Sequence, residues 1–168
     1  MTKVALVTGG TRGIGRGITD RLLQAGYQVV AIARRQPEGD LGGAQFLAAD
    51  LRVPDAVEGV MAAVKADLGR LDVLVNNAGG SPFAWAADAS PNFHEKVIQL
   101  NLLAPLHCAQ AANRIMQNQD DGGVIINIAS VSGLRPSPGT AAYGAAKAGL
   151  ISLSRSLAVE WAPKVRIN

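Results

Sequence analysis

An α/β fold, a doubly wound parallel sheet with helices on both faces, is the fold class this sequence predicts. Two observations carry that reading. Short β-branched apolar runs alternate along the chain with longer stretches whose apolar residues recur at helical spacing. One run, Gly123 to Ala129, reads as a continuous apolar strand, the mark of a central parallel strand. The 168 residues suit one domain, and 48% apolar against 17% charged content argues against disorder.

Lys3 to Thr8 reads as strand 1. The loop Thr8-Gly9-Gly10-Thr11-Arg12-Gly13-Ile14-Gly15 follows, and then Ile14, Ile18, Leu22 and Ala25 recur at helical spacing until Gly26 closes the helix. A glycine loop between a strand and a helix N-terminus is an anion site: the backbone can approach a pyrophosphate, and free N–H groups and the helix dipole favour its charge. The glycine spacing, Gly9, Gly13, Gly15, differs from the G-x-G-x-x-G fingerprint.

Gln28 to Ala33 reads as strand 2. An NAD site needs an acidic residue near the end of this strand for the ribose hydroxyls. Arg34 and Arg35 stand there instead, with the nearest acid, Glu38, beyond Pro37. Guanidinium pairs with a 2′-phosphate that a carboxylate repels, so the sequence predicts NADP over NAD, with Arg12 as a further cation.

Residues 36 to 44 form a Gly-, Pro- and Asp-rich loop with no room for a helix before strand 3, Gln45 to Ala49. Asp50, followed by Leu51, can accept from an adenine amino group or cap the next segment. That segment is a helix with Pro54 near its start and Val57, Val60, Met61, Val64 and Leu68 in phase. Leu71 to Val75 is strand 4, and the small residues Asn76-Asn77-Ala78-Gly79-Gly80 let a flat ring lie near the backbone or form a plain turn. Ser90 and Pro91 start a long helix running to about Gln117, expected to kink at Pro105, with Asn101 inside it. His94 and His107 have no partners at metal spacing and receive no role.

Ser130 stands at the carboxyl end of the Gly123–Ala129 strand, where ligands of such sheets bind. A Gly- and Pro-bearing loop, Ser132 to Thr140, leads to a helix extending to Trp161, with Ala146, Leu150, Leu153 and Leu157 on its apolar face. Tyr143 and Lys147 lie four residues apart in that helix, on one side. An ammonium beside a phenol lowers its pKa from about 10, and a tuned Tyr serves as acid or base. A lone pair at this spacing is more often incidental. Pro163 ends the helix, and Val165 to Asn168 begins another strand.

The net charge of +3 is scattered, with no basic stripe and no interleaved aromatics, so no nucleic-acid surface is expected. Cys108 is the only cysteine, which excludes an intrachain disulfide and fits a reducing, cytoplasmic setting. No stretch reads as a signal peptide or membrane span.

In their order along the chain, these motifs closely resemble the short-chain dehydrogenase/reductase family, in particular its 3-oxoacyl-carrier-protein-reductase-like members. The resemblance spans the chain and implies a Rossmann fold. It also implies hydride transfer between NADP and a small carbonyl or secondary alcohol substrate. The glycine motif Thr8–Gly15, Asp50 on the adenine side and the Asn76–Gly79 motif all match the family pattern. The resemblance places a catalytic tetrad on Asn101, Ser130, Tyr143 and Lys147. Cofactor contacts fall to Gly9, Thr11, Arg12, Gly13, Ile14, Gly15, Arg34, Arg35, Asp50, Leu51, Asn77, Ala78 and Gly79, with Tyr143 and Lys147.

Two departures stand out. No helix follows strand 2. The family continues past the strand at residue 168 into a Pro-Gly cofactor loop, a substrate-covering helical region and a last strand, so the sequence is expected to be truncated in or after its sixth strand. A non-catalytic nucleotide-binding or interaction fragment is the alternative. Surplus apolar residues on the helices from Pro91 and Thr140 predict a homodimer, or a homotetramer if the chain continues: Leu100, Leu102, Leu103, Leu106, Leu150, Ile151, Leu153 and Leu157.

Overall fold

The apolar runs become six parallel strands in the computed structural model, which describes every residue from Met1 to Asn168. They are β1 (Val4–Thr8), β2 (Gln28–Ala33), β3 (Gln45–Ala48), β4 (Val73–Asn76), β5 (Gly123–Asn127) and β6 (Val165–Ile167). The sheet order is β3-β2-β1-β4-β5-β6. The order reverses between β1 and β4, so a crevice opens beyond their carboxyl ends. Five helices connect the strands: α1 (Gly13–Gln24), α2 (Pro54–Leu68), α3 (Pro91–Ile98), α4 (Ala104–Met116) and α5 (Ala141–Trp161). As expected, no helix lies between β2 and β3.

Side-chain alternation along the strands divides the core between the two faces. Leu6, Val30, Ile32, Leu74 and Ile125 pack with residues of α2, α4 and α5. Ala5, Val7, Val29, Val73 and Val75 face the other way, against Ile18 and Leu22 of α1. No helix covers β5 on the α1 face, so Ile126 is 36% exposed and Val124 half-buried, although the run reads as fully buried from its composition.

Two expected elements are rearranged. Strand 4 begins at Val73 rather than Leu71, because the Asp72 carboxylate accepts from the Val4 N–H at 2.8 Å and pairs with Arg70. The long helix from Pro91 does break, but not at Pro105 itself. A π-helical turn, Gln99–Leu103, intervenes, with Asn101 fully buried in it. Pro105 has no N–H to donate to the Asn101 carbonyl, so the regular α ladder cannot pass through this point.

The surplus apolar residues of these helices are largely used internally. Leu150 and Leu157 are buried, Leu106 and Leu153 pack on the core, and Leu102 lies against Gly149. Leu103 remains exposed, with Leu100 and Ile151 half-buried.

Candidate functional site

Every predicted site segment except the Asn101 turn and the Tyr143–Lys147 helix directly follows a strand's carboxyl end, so the parallel sheet gathers them along one edge. At the centre is Thr8, the last residue of β1 and fully buried. Its Oγ1 donates to the Val75 carbonyl at 3.2 Å and accepts from the N–H groups of Asn77 and Ala78, both at 2.9 Å. Asn77 returns the link, its Nδ2 donating to the Thr8 carbonyl at 3.0 Å. The glycine loop and the Asn76–Gly80 loop are thereby fixed to each other. Sequence reasoning missed Thr8; the available signal is a hydroxyl at the last position of a strand bordering the order reversal.

Above this link the backbone is bare. A Cβ on Gly15 would overlap the Gly9 carbonyl, and one on Gly9 would sit 3.0 Å from Asn77 Nδ2. Gly13, with φ +56°, has nothing within 4 Å of where its Cβ would be. This open space lies at the N-terminus of α1, which carries no acid in its first turn and no side-chain cap on its free N–H groups. The arrangement fits a pyrophosphate. Thr11 is half-buried at this rim, while Arg12 and Ile14 are exposed there.

Arg34 and Arg35, past the end of β2, are exposed and take part in no ion pair. At the end of β3, Asp50 is gripped by Arg52, whose Nε lies 2.9 Å from Oδ1 and whose backbone N–H donates to the same oxygen at 3.1 Å. These bonds hold the Asp50 carboxyl down at about 2, with Arg34 contributing through its charge. Asp50 is therefore not the cap of α2: the residue at that position is Val53, which offers no side-chain bond. Leu51 is buried in the core, which leaves only its backbone for a ligand.

Beyond β4 and β5 the four predicted catalytic positions converge. Asn101 spends both amide hydrogens on protein: Nδ2 donates to the carbonyls of Gly80 (2.9 Å) and Val97 (2.8 Å), and Oδ1 accepts from Gly80 N–H at 2.8 Å. Only glycine fits at residue 79, since a Cβ there would stand 2.6 Å from Asn101 Oδ1 and 3.5 Å from Lys147 Nζ. Lys147 is buried, with Nζ donating to the Ile128 carbonyl at 2.7 Å and lying 5.7 Å from the centre of the Tyr143 ring. Burial lowers its pKa from the ordinary 10.5. Ser130 opens a short 3-10 turn, Val131–Gly133, its Oγ accepting from Ser132 N–H at 3.2 Å.

This turn meets α5 backbone to backbone. A Cβ on Gly133 would lie 2.8 Å from Ala148 N, and one on Gly144 2.8 Å from the Ser132 carbonyl. Two glycines thus set Ser130 beside the first turns of α5, which hold Tyr143 and Lys147. Two cavities lie away from this convergence. One, of about 280 Å³, lies between β5, β6 and α5 and is lined by none of the predicted site residues. Another, of about 340 Å³, borders α1 and the uncovered sheet face, with Ile14 at its rim. No helix is long and apolar enough to cross a membrane.

Comparison with known proteins finds the same fold. The family model described as short chain dehydrogenase matches residues 3–168. A 3beta-hydroxysteroid dehydrogenase of Mediterraneibacter gnavus is 35% identical, the alignment taking in 96% of this chain and 62% of that protein. The 3-oxoacyl-acyl-carrier-protein reductase of Homo sapiens is likewise 35% identical, over 100% of this chain and 73% of its own length. The crystal structure of a short chain dehydrogenase from Mycobacterium smegmatis matches with a TM-score of 0.93 at 34% identity, over 99% of this chain and 73% of that one. The chain thus spans less than two thirds of the first of these relatives and somewhat more of the others.

Proposed function

The chain belongs to the short-chain dehydrogenase family, and from that premise we propose an NADP-dependent oxidoreductase acting on a carbonyl or secondary alcohol. Tyr143 is its general acid and base. The convergence of Ser130, Tyr143, Lys147 and Asn101 beside the glycine loop carries this reading. The reduced nicotinamide, when bound, supplies hydride to the carbonyl carbon.

The protein's part is to bind, orient and move a proton. Ser130 Oγ accepts from Ser132, so its own hydrogen is free to hold the substrate oxygen. Tyr143 gives its phenolic proton to that oxygen as the C=O bond becomes C–O–H. The Lys147 ammonium, anchored by one bond to Ile128, keeps two N–H groups for the ribose hydroxyls. Asn101 has no amide hydrogen left to donate, so a water that returns protons through Lys147 would sit on its backbone carbonyl, which Pro105 leaves without the usual α-helical donor. Gly9, Thr11, Arg12, Gly13, Ile14 and Gly15 would receive the pyrophosphate, and Asn77, Ala78 and Gly79 would flank the nicotinamide side. Asp50 and the Leu51 backbone would take the adenine, and Arg34 and Arg35 the 2′-phosphate.

Cys108 is the sole cysteine and is buried, so no intrachain disulfide can form, and a reducing cytoplasm is the setting we propose. For the chain of 168 residues we propose one nucleotide-binding domain, forming a dimer through Leu103 and the exposed small residues Ala145 and Ala148 of α5. A longer chain would form a tetramer.

Turnover of NADPH with a panel of ketones, wild type against Tyr143→Phe, tests the mechanism. The variant is expected to lose about 100-fold or more. Equal rates would sink the assignment, and NADPH binding without any wild-type turnover would favour a non-catalytic nucleotide-binding protein.

A further inference from the structure

Four of the large apolar side chains that the fold leaves exposed stand on the two loops beside Ser130 and Tyr143. They are Phe83 (66%) and Trp85 (55%) after β4, and Val131 (61%) and Leu134 (76%) after β5. A lone exposed Leu needs no explanation. An adjacent exposed Phe and Trp, in a chain only 4% aromatic, do. Neither ring belongs to a core cluster.

The pair is nevertheless held in place. The two rings meet edge to face, 5.1 Å between centroids at 81°. Between them, Ala84 N–H donates to the Gly139 carbonyl at 2.8 Å. The Phe83 ring lies so close to Gly139 that any Cβ there would overlap it. Gly139 has φ +75° and directly precedes Thr140, the cap of α5, whose first turn carries Tyr143. The aromatic rings are therefore located relative to Tyr143 through one short stretch of backbone. The charged residues on the two loops, Ser81–Ala89 and Val131–Gly139, are Asp88 and Arg135 alone. A phosphate-bearing carrier attached to the substrate would find no cluster of cations here.

Resting on the oxidoreductase reading above, we propose that Phe83 and Trp85 form the face on which the apolar body of the substrate lies. The substrates are ketones, or the matching alcohols, that carry an aromatic or alicyclic ring. Flat apolar groups stack or meet edge-on with such a face, whereas a short aliphatic ketone covers too little of it.

Calorimetric titration of the NADP-loaded protein with 2-tetralone and with 2-butanone tests this without turnover. 2-Tetralone is expected to bind wild type at least about tenfold more tightly than 2-butanone. Trp85→Ser and Phe83→Ser should each remove most of that advantage and leave 2-butanone and NADP binding unchanged. Trp85→Phe should restore it. Trp85→Ser keeps the test open should Phe83→Ser loosen the loop. Equal wild-type affinity for the two ketones, or undiminished 2-tetralone binding in both serine variants, would overturn the proposal. Tyr143→Phe separates the two claims: it should keep the preference for 2-tetralone over 2-butanone while reducing 2-tetralone far more slowly. Retained turnover there sinks the mechanism and not the platform.

Discussion

Arg34 and Asp50, at the ends of neighbouring strands, share one electrostatic neighbourhood, since the Arg34 charge helps to hold the Asp50 carboxyl low. Arg34→Asp therefore adds a second carboxylate where a 2′-phosphate would lie. NADPH is expected to bind about tenfold to 100-fold more weakly and NADH more tightly; titrating both cofactors measures the change. Lys147 allows a sign-fixed test. Burial lowers its pKa, so in the native state the ammonium carries a cost that is full below that lowered value and fades as pH rises towards the ordinary 10.5. Lys147→Met removes the cost along with the bond to Ile128, two effects of opposite sign. The variant's stability relative to wild type should fall as urea melts are moved from about pH 7 to about pH 10. The Tyr143–Lys147 pair was legible because helical spacing puts both on one side and the ordered motifs around it set it apart from a chance pair. Thr8 and Arg52 were not. A hydroxyl that joins two loops 69 residues apart in sequence is marked only by its place at the end of a strand, and its partners are not; Asp50 followed by Arg52 looks like any charged turn.

Elements explain what the residues cannot. The extents of α2 and β2 agree with the sequence, since Pro54 and the apolar phase mark one and a continuous apolar run, Val29 to Ala33, the other. The π-helical turn at Asn101 was legible only as an irregularity near Pro105, because a proline reports a lost donor and not how the backbone absorbs the loss. The docking of the Ser130 turn on α5 was invisible: Gly133 and Gly144 look like ordinary glycines until the two backbones meet. Gly144→Val places branched carbon against the Ser132 carbonyl, where Cβ alone would already be at 2.8 Å. Forced separation of this kind costs about 1–3 kcal/mol, and parting Ser130 from Tyr143 should lower kcat far more than it raises the KM for NADPH. Thermal melting and steady-state kinetics of the variant measure both.

At the scale of the whole molecule, the parallel sense of the sheet was predictable from crossovers that must each carry a helix or a long loop. The uneven covering of the sheet was not, because apolar content says nothing about which helix arrives to cover a strand. The predicted dimer has less apolar surface than the helices' composition suggested, with Leu103 as its main exposed large side chain. Light scattering at micromolar concentration should give a dimeric mass, and Leu103→Lys should shift it to a monomer; a wild-type monomer would exclude this interface. The Ser130–α5 contact also bears on how such a protein can change. The tie is made of main chain, so the exposed residues of the same loop are released from any duty of alignment. Val131 and Leu134 can be exchanged one mutation at a time while the docked backbone stays unchanged, so the outer face of this loop can drift across descendants with the placement of Ser130 inherited intact.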